Sequence, residues 1–177
     1  MTRRPAKADD VLRLMQTLGR YARGPGRVYF TGGATAVMKG WRDATVDIDL
    51  KLDPEPAGAF EAIARIKEEL SLNVELASPD QFIPDPPASQ SRAEFIGREG
   101  AVEFYHYDLY AQALAKIERG HARDLVDVTA MVKTGAVGPA LLAELFAKIE
   151  PALLRFPAIS APAFRAKLER FLQSVQS

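Results

Sequence analysis

Two aspartates one residue apart, Asp47 and Asp49, follow a glycine pair, Gly32-Gly33, and these four residues carry most of the chemistry the chain can be expected to do. Successive side chains of a strand alternate between faces, so Asp47 and Asp49 project together while Val46, Ile48 and Leu50 enter the opposite layer. Two like charges whose backbones stand roughly 6–7 Å apart repel, and a divalent cation between them resolves the conflict. Mg²⁺, or Mn²⁺ in its place, suits so sparse a site. It takes one or two protein carboxylates and fills its other positions with water and phosphate oxygens, which points to a nucleoside triphosphate as substrate.

The elements that must position these residues are legible nearby. Arg27-Val28-Tyr29-Phe30 reads as a buried strand, and Ala34 to Lys39 as a helix that starts directly after the glycines. Gly32 and Gly33 therefore occupy a strand-to-helix turn. Glycine there lets a ligand approach the main chain, and the amides that open the helix attract an anion. Thr31 and Thr35 are expected to add hydroxyl donors.

Taken in order, Gly32-Gly33, Arg42, Thr45 and Asp47-Ile48-Asp49-Leu50 resemble the signature of the polymerase β-like nucleotidyltransferase superfamily, hG[G/S] followed by [D/E]h[D/E]h. The paired glycines, Ala34 and Ala36 at the helix start, and Arg42 and Thr45 before the acids are most similar to the AbiEii-type toxin nucleotidyltransferases and related bacterial domains. Glycine replaces the serine that many members carry at the second turn position. The resemblance implies a third carboxylate on a later strand. Glu75, in Leu72-Asn73-Val74-Glu75-Leu76 after the helical stretch Ala59–Leu70, has the favoured context, with Glu103 and Asp108 as alternatives. Three converging acids imply two metals, two acids imply one. It further implies nucleotide binding by Gly32, Gly33, Thr35 and Arg42. Downstream, the segment Asp108–Val128 resembles the lysine-bearing helix and R-D-x-x-D that accompany these motifs. Lys116 would offset triphosphate charge with Arg119 beside it, Asp124 would orient or pair with the lysine, and Asp127 is a weaker candidate. The bland reading is that Lys116 snorkels from a packed helix and that the aspartates favour a helix N-terminus.

Composition bounds the alternatives. The chain has 177 residues, no cysteine and two histidines, which removes disulfide, thiolate-metal and histidine-zinc readings. Twenty-three basic residues balance 23 acidic ones, so no general electrostatic grip on nucleic acid is indicated. No run approaches the roughly 18 apolar residues of a membrane span, and Met1-Thr2-Arg3-Arg4-Pro5 leads into a polar stretch. A cytoplasmic protein with no membrane partner is expected.

Elsewhere, Asp9–Tyr21 reads as an amphipathic helix. Ser78–Gln90, with four prolines, reads as an ordered connection or flap, and Ala93–Arg98 with Ala101–Tyr107 as a hairpin around Glu99-Gly100. Helices follow Asp108, with breaks at Gly120, Gly135, Pro151 and Pro157. Leu141, Leu142, Leu145, Phe146 and Ile149 make one stripe, and Phe164, Leu168, Phe171 and Leu172 another. The expected class is α/β (α+β): a short mixed β-sheet core with flanking helices over residues 1–107, then a helical bundle over 108–177. The expected activity is toxin-like, metal-dependent transfer of NMP from an NTP to a hydroxyl of RNA or protein. The alternative is a non-catalytic binding module of the same fold with an antitoxin partner protein. A metal-dependent nuclease, a third reading, has no use for the glycine turn.

Overall fold

Alternation of apolar and polar residues builds the sheet. The computed structural model describes residues 3–177. Met1 and Thr2, the start of the polar leader noted above, lie outside the described residues. The strands are β1 (Gly26–Thr31), β2 (Asp47–Leu52), β3 (Asn73–Leu76), β4 (Glu94–Glu99) and β5 (Val102–His106), in the order β3-β2-β1-β5-β4. The sheet is mixed. β1 runs antiparallel to β2 and parallel to β5, β2 is parallel to β3, and β4 and β5 form the antiparallel hairpin.

Contacts divide the chain into two units. The first takes residues up to Ser78 together with Ala93–Tyr107, and the second takes Pro79–Arg92 with Asp108–Ser177. Residues 79–92 belong to the helical unit. Arg92 explains the allegiance: its guanidinium donates to both oxygens of Asp108, from Nε at 3.1 Å and Nη2 at 2.7 Å. Short 3₁₀ turns at Pro79–Gln81 and Ser89–Arg92 order this proline-rich segment.

In the first unit, one face of the sheet is the core. Val28, Phe30, Ile48, Leu50, Val74, Val102 and Phe104 meet α1 (Ala8–Tyr21), α2 (Gly32–Met38) and α3 (Ala59–Glu69), and Phe30 stacks on Phe104 with ring centroids 6.0 Å apart. Val11, Leu14, Met15 and Leu18 form the buried stripe of α1. Each such side chain stabilises by about 1.5–3 kcal/mol on burial, enough to fix which face of the sheet turns inward. Asp10 accepts two hydrogen bonds from Arg4 and one from the Lys7 amide. The Arg4 contact, against the opposing pull of burial, pushes its carboxyl down to about 2.

The second unit contains α4 (Leu109–Arg119), α5 (Ala122–Lys133), α6 (Pro139–Ile149) and α7 (Ala161–Val175). Asp108 caps α4 by accepting from the Tyr110 amide at 3.0 Å, and Ser160 caps α7 through the Ala163 amide. Leu142, Leu145, Phe146 and Ile149 of α6 are buried, as are Phe164, Leu168 and Phe171 of α7, while Leu141 and Leu172 are half-buried. Phe146 and Phe164 meet at 4.9 Å between centroids.

Candidate functional site

The face of the sheet opposite the core carries the polar residues. Antiparallel pairing sets Thr31 opposite Asp49 and Tyr29 opposite Lys51, while parallel pairing sets Asp47 beside Asn73 and Asp49 beside Glu75. Side chains at paired positions share a face, so Asp47, Asp49, Asn73 and Glu75 all project together, next to the end of β1 where the glycine turn begins. Ile48 and Leu50 point into the core as expected. Val46 does not: it precedes β2 and is 56% exposed.

The turn and the acids meet. Gly32 has φ +58°, and a β-carbon built on it would stand 3.0 Å from Oδ2 of Asp49. Any larger residue would thus combine an unfavourable backbone with a close approach to the carboxylate. Gly33 is held differently. A β-carbon there would fall 2.0 Å from Thr45 Oγ1 and 3.2 Å from Nη1 of Arg42. Glycine at the second turn position follows from the closeness of Thr45. Thr45 is itself fixed, exchanging main-chain hydrogen bonds with Ala6 at 2.7 and 2.8 Å and donating from Oγ1 to the Asp47 carbonyl at 3.0 Å. Gly32, Gly33, Arg42, Thr45 and Asp49 therefore occupy one locality.

Of the three candidates for the further acid, Glu75 lies beside Asp49 on the neighbouring strand. Glu103 shares the polar face but pairs with Arg27, four residues before Thr31 along β1. Its carboxylate accepts from Arg98 at 2.6 Å, Tyr105 Oη at 3.0 Å and Arg27 at 3.2 Å, and the Arg98 and Tyr105 contacts hold it below the usual carboxylate range. Asp108 belongs to the second unit, where Arg92 and the α4 cap engage it. Asn73 is a neighbour of these acids that the sequence reading did not single out. Its Nδ2 donates to Asp47 Oδ1 and, at 3.0 Å, to Glu75 Oε1, while its Oδ1 accepts from Arg3 at 3.1 Å. The signal was available: Asn73 stands two residues before Glu75 on the same face of one strand.

Thr35, expected to offer its hydroxyl to the nucleotide, is fully buried, with Oγ1 3.2 Å from the Phe30 carbonyl and 3.0 Å from His106 Nδ1. Thr31 Oγ1 donates to the Ala77 carbonyl at 3.1 Å. Burial, helped by the charge of Lys39 and opposed by Glu94, lowers the His106 imidazole to about 4, so it is neutral near pH 7. Lys116, in the second unit, is only 5% exposed. Its ammonium donates to Asp127 at 2.8 Å and stands 3.5 Å from Asp124, whose carboxylate also accepts from Arg119 Nε at 2.7 Å. Lys116 neutralises two buried acids, and the expected Asp124–Lys116 pairing is present. Burial opposes the Asp124 charge, yet Arg119 and Lys116 together hold its carboxyl below its ordinary value.

Hard oxygen donors on one face, with the Asp49 carboxylate close against the glycine turn, are of the type that Mg²⁺ or Mn²⁺ takes. Among the described residues, no three histidine, aspartate or glutamate groups converge closely enough to hold an ion by themselves. Also among the described residues, no helix is long and apolar enough to cross a membrane. Comparison of the chain with protein-family models, curated proteins and solved structures gives no match.

Proposed function

We propose that the chain is a metal-dependent nucleotidyltransferase that moves NMP from an NTP to a hydroxyl of RNA or protein and releases pyrophosphate. The observation that carries this reading is the approach of the Asp49 carboxylate to Gly32, with Glu75 beside Asp49 on the next strand. Asp47 and Asp49 hold Mg²⁺ or Mn²⁺, which when bound neutralises triphosphate and leaving-group charge. In this reading the main chain of the glycine turn faces the phosphate, and Arg42 brings positive charge beside Gly33. Glu75 takes the proton of the acceptor hydroxyl as its oxygen bonds to the α-phosphorus and the bond to the β-phosphate oxygen breaks. Positioning and charge stabilisation dominate such transfers.

The test is incubation with labelled NTPs, Mg²⁺ and total RNA or lysate protein. Label transfer is expected from the natural chain and none from Asp49→Asn, with unchanged thermal unfolding. Transfer retained by Asp49→Asn overturns the assignment, and shortened RNA without label identifies a nuclease.

The second reading, a non-catalytic module working with an antitoxin protein, draws on the Asn73 amide standing between Asp47 and Glu75. It predicts no label transfer and co-purification with a stoichiometric partner.

A further inference from the structure

The β4 end of the sheet carries, opposite the core, a cluster in which the acids of β2 and β3 take no part. Strand register puts Tyr29, Tyr105 and Phe95 in one row across β1, β5 and β4, and Arg27, Glu103 and Arg98 in the next. Tyr29 stacks on Tyr105 with ring centroids 5.4 Å apart, and Phe95 meets Tyr105 edge to face at the same separation. Cross-strand aromatic pairing stabilises a sheet, and that accounts for Tyr29, which is buried. It does not account for Phe95. That ring is 61% exposed on the edge strand, and an edge-to-face contact covers at most one of its faces, so the other lies open to solvent.

The neighbouring row supplies charge. Arg27 stands over the Tyr105 ring, with Cζ 5.7 Å from the centroid, and the side chains of both Arg27 and Arg98 are more than half exposed. Between them, Glu103 accepts from Nε of Arg27 at 3.2 Å and from Nη2 of Arg98 at 2.6 Å. One carboxylate thus orients two guanidiniums and offsets one of their charges, and each guanidinium has donors beyond the nitrogen that Glu103 engages. An open ring beside two arginines matches both parts of an unpaired nucleotide, because the base stacks on the ring and the phosphate pairs with a guanidinium. An apolar protein partner would use the ring and leave the cations unmatched. A duplex would use the cations but has no base face to offer.

We propose that this corner of the sheet docks single-stranded RNA, with a base stacked on Phe95 and the adjoining phosphates held by Arg27 and Arg98. RNA is the occupant because its loops, bulges and ends present unstacked bases. The chain has a formal charge of zero, so the grip is local and the binding modest. This goes beyond the transfer reading and does not need it.

The test is fluorescence anisotropy of the full chain with a labelled, unstructured RNA oligomer, without metal or NTP. Phe95→Ala is expected to weaken binding by about 5–150-fold, the loss typical of one stacked base. Phe95→Leu, which keeps apolar bulk at the sheet edge, should lose nearly as much, and Phe95→Trp should bind at least as tightly as the natural chain. Two phosphate contacts give a log–log salt slope of about −1.4, reduced in size by about 0.7 in Arg98→Ala. No binding by the natural chain, duplex bound as tightly as the single strand, or natural affinity in Phe95→Leu overturns the proposal. Self-association abolished by Phe95→Leu, in place of RNA binding, overturns it in favour of a second copy of the chain. None of these outcomes bears on label transfer, so the two readings fail separately.

Discussion

Gly33→Ala tests the packing behind the site most directly. The added β-carbon would fall 2.0 Å from Thr45 Oγ1 and 2.7 Å from Thr45 Cβ. Comfortable separations between such atoms are about 3.5–4.0 Å, so something must move by more than 1 Å. Thr45 is poorly placed to yield, because its amide and carbonyl both bond to Ala6 and its hydroxyl to the Asp47 carbonyl. Overpacking of this kind costs about 1–3 kcal/mol, and each hydrogen bond lost as Thr45 shifts adds about 1 kcal/mol. Alanine's better helix propensity offsets up to about 1 kcal/mol of this. The expected net loss is about 3 kcal/mol, which for a chain of this length lowers the melting temperature by roughly 6–12 °C. Thermal melts of Gly33→Ala, Thr45→Gly and the double variant give the coupling. Removing the Thr45 side chain should recover at least about 1 kcal/mol of the alanine's cost. Gly33→Ala melting within about 2 °C of the natural chain, or a cycle additive to within about 0.5 kcal/mol, refutes the steric argument. Gly33→Ser should be at least as costly.

Three further outcomes are expected. His106 has its folded value lowered from 6.5 to about 4, so its contribution to stability is complete above pH 6.5 and is lost as pH falls towards 4; urea unfolding should show about 3 kcal/mol of this loss, absent from His106→Gln, and an equal pH slope in that variant refutes it. Lys116→Met leaves the buried acids Asp124 and Asp127 without their shared cation and should destabilise by about 3–5 kcal/mol in denaturant titrations, whereas a near-neutral change shows that the cluster contributes little. Glu75→Gln should lower label transfer at least about 10²-fold while Glu103→Gln leaves it within a few-fold, and the reverse pattern moves the third acid to β5.

The sheet was largely legible because its strands are short alternating runs bounded by turn residues. Ile48 and Leu50 against Asp47 and Asp49 fixed one strand's inner and outer faces, and Glu99-Gly100 marked the hairpin. Val46 broke the pattern because alternation reports a face only within the strand, and β2 starts one residue later. The grouping of residues 79–92 with the helices is not legible in the sequence for a related reason. Prolines announce a connection but not the surface it joins, and the pairing of Arg92 with Asp108 spans sixteen positions that no periodicity links. In the site, the carboxylates and glycines stand out by type, whereas Asn73 is noticed only once strand register places it beside Asp47. Thr35 shows the converse. Its place after the glycines suggested a ligand donor, but one helical turn rotated it inward to the Phe30 carbonyl and His106.

The interrupted path of the first unit has a consequence for biosynthesis. β1 lies between β2 and β5, yet β5 is made only after the whole 79–92 excursion. A nascent chain that has emerged only through Ser78 therefore holds β1 with one flank hydrogen-bonded and the other bare, a template on which neighbouring polypeptides can stack. Release of residues 93–107 closes that flank with a parallel partner drawn from far along the chain, a slow kind of pairing. Translation rate or chaperone supply over this stretch, rather than final stability, should govern how much soluble protein accumulates.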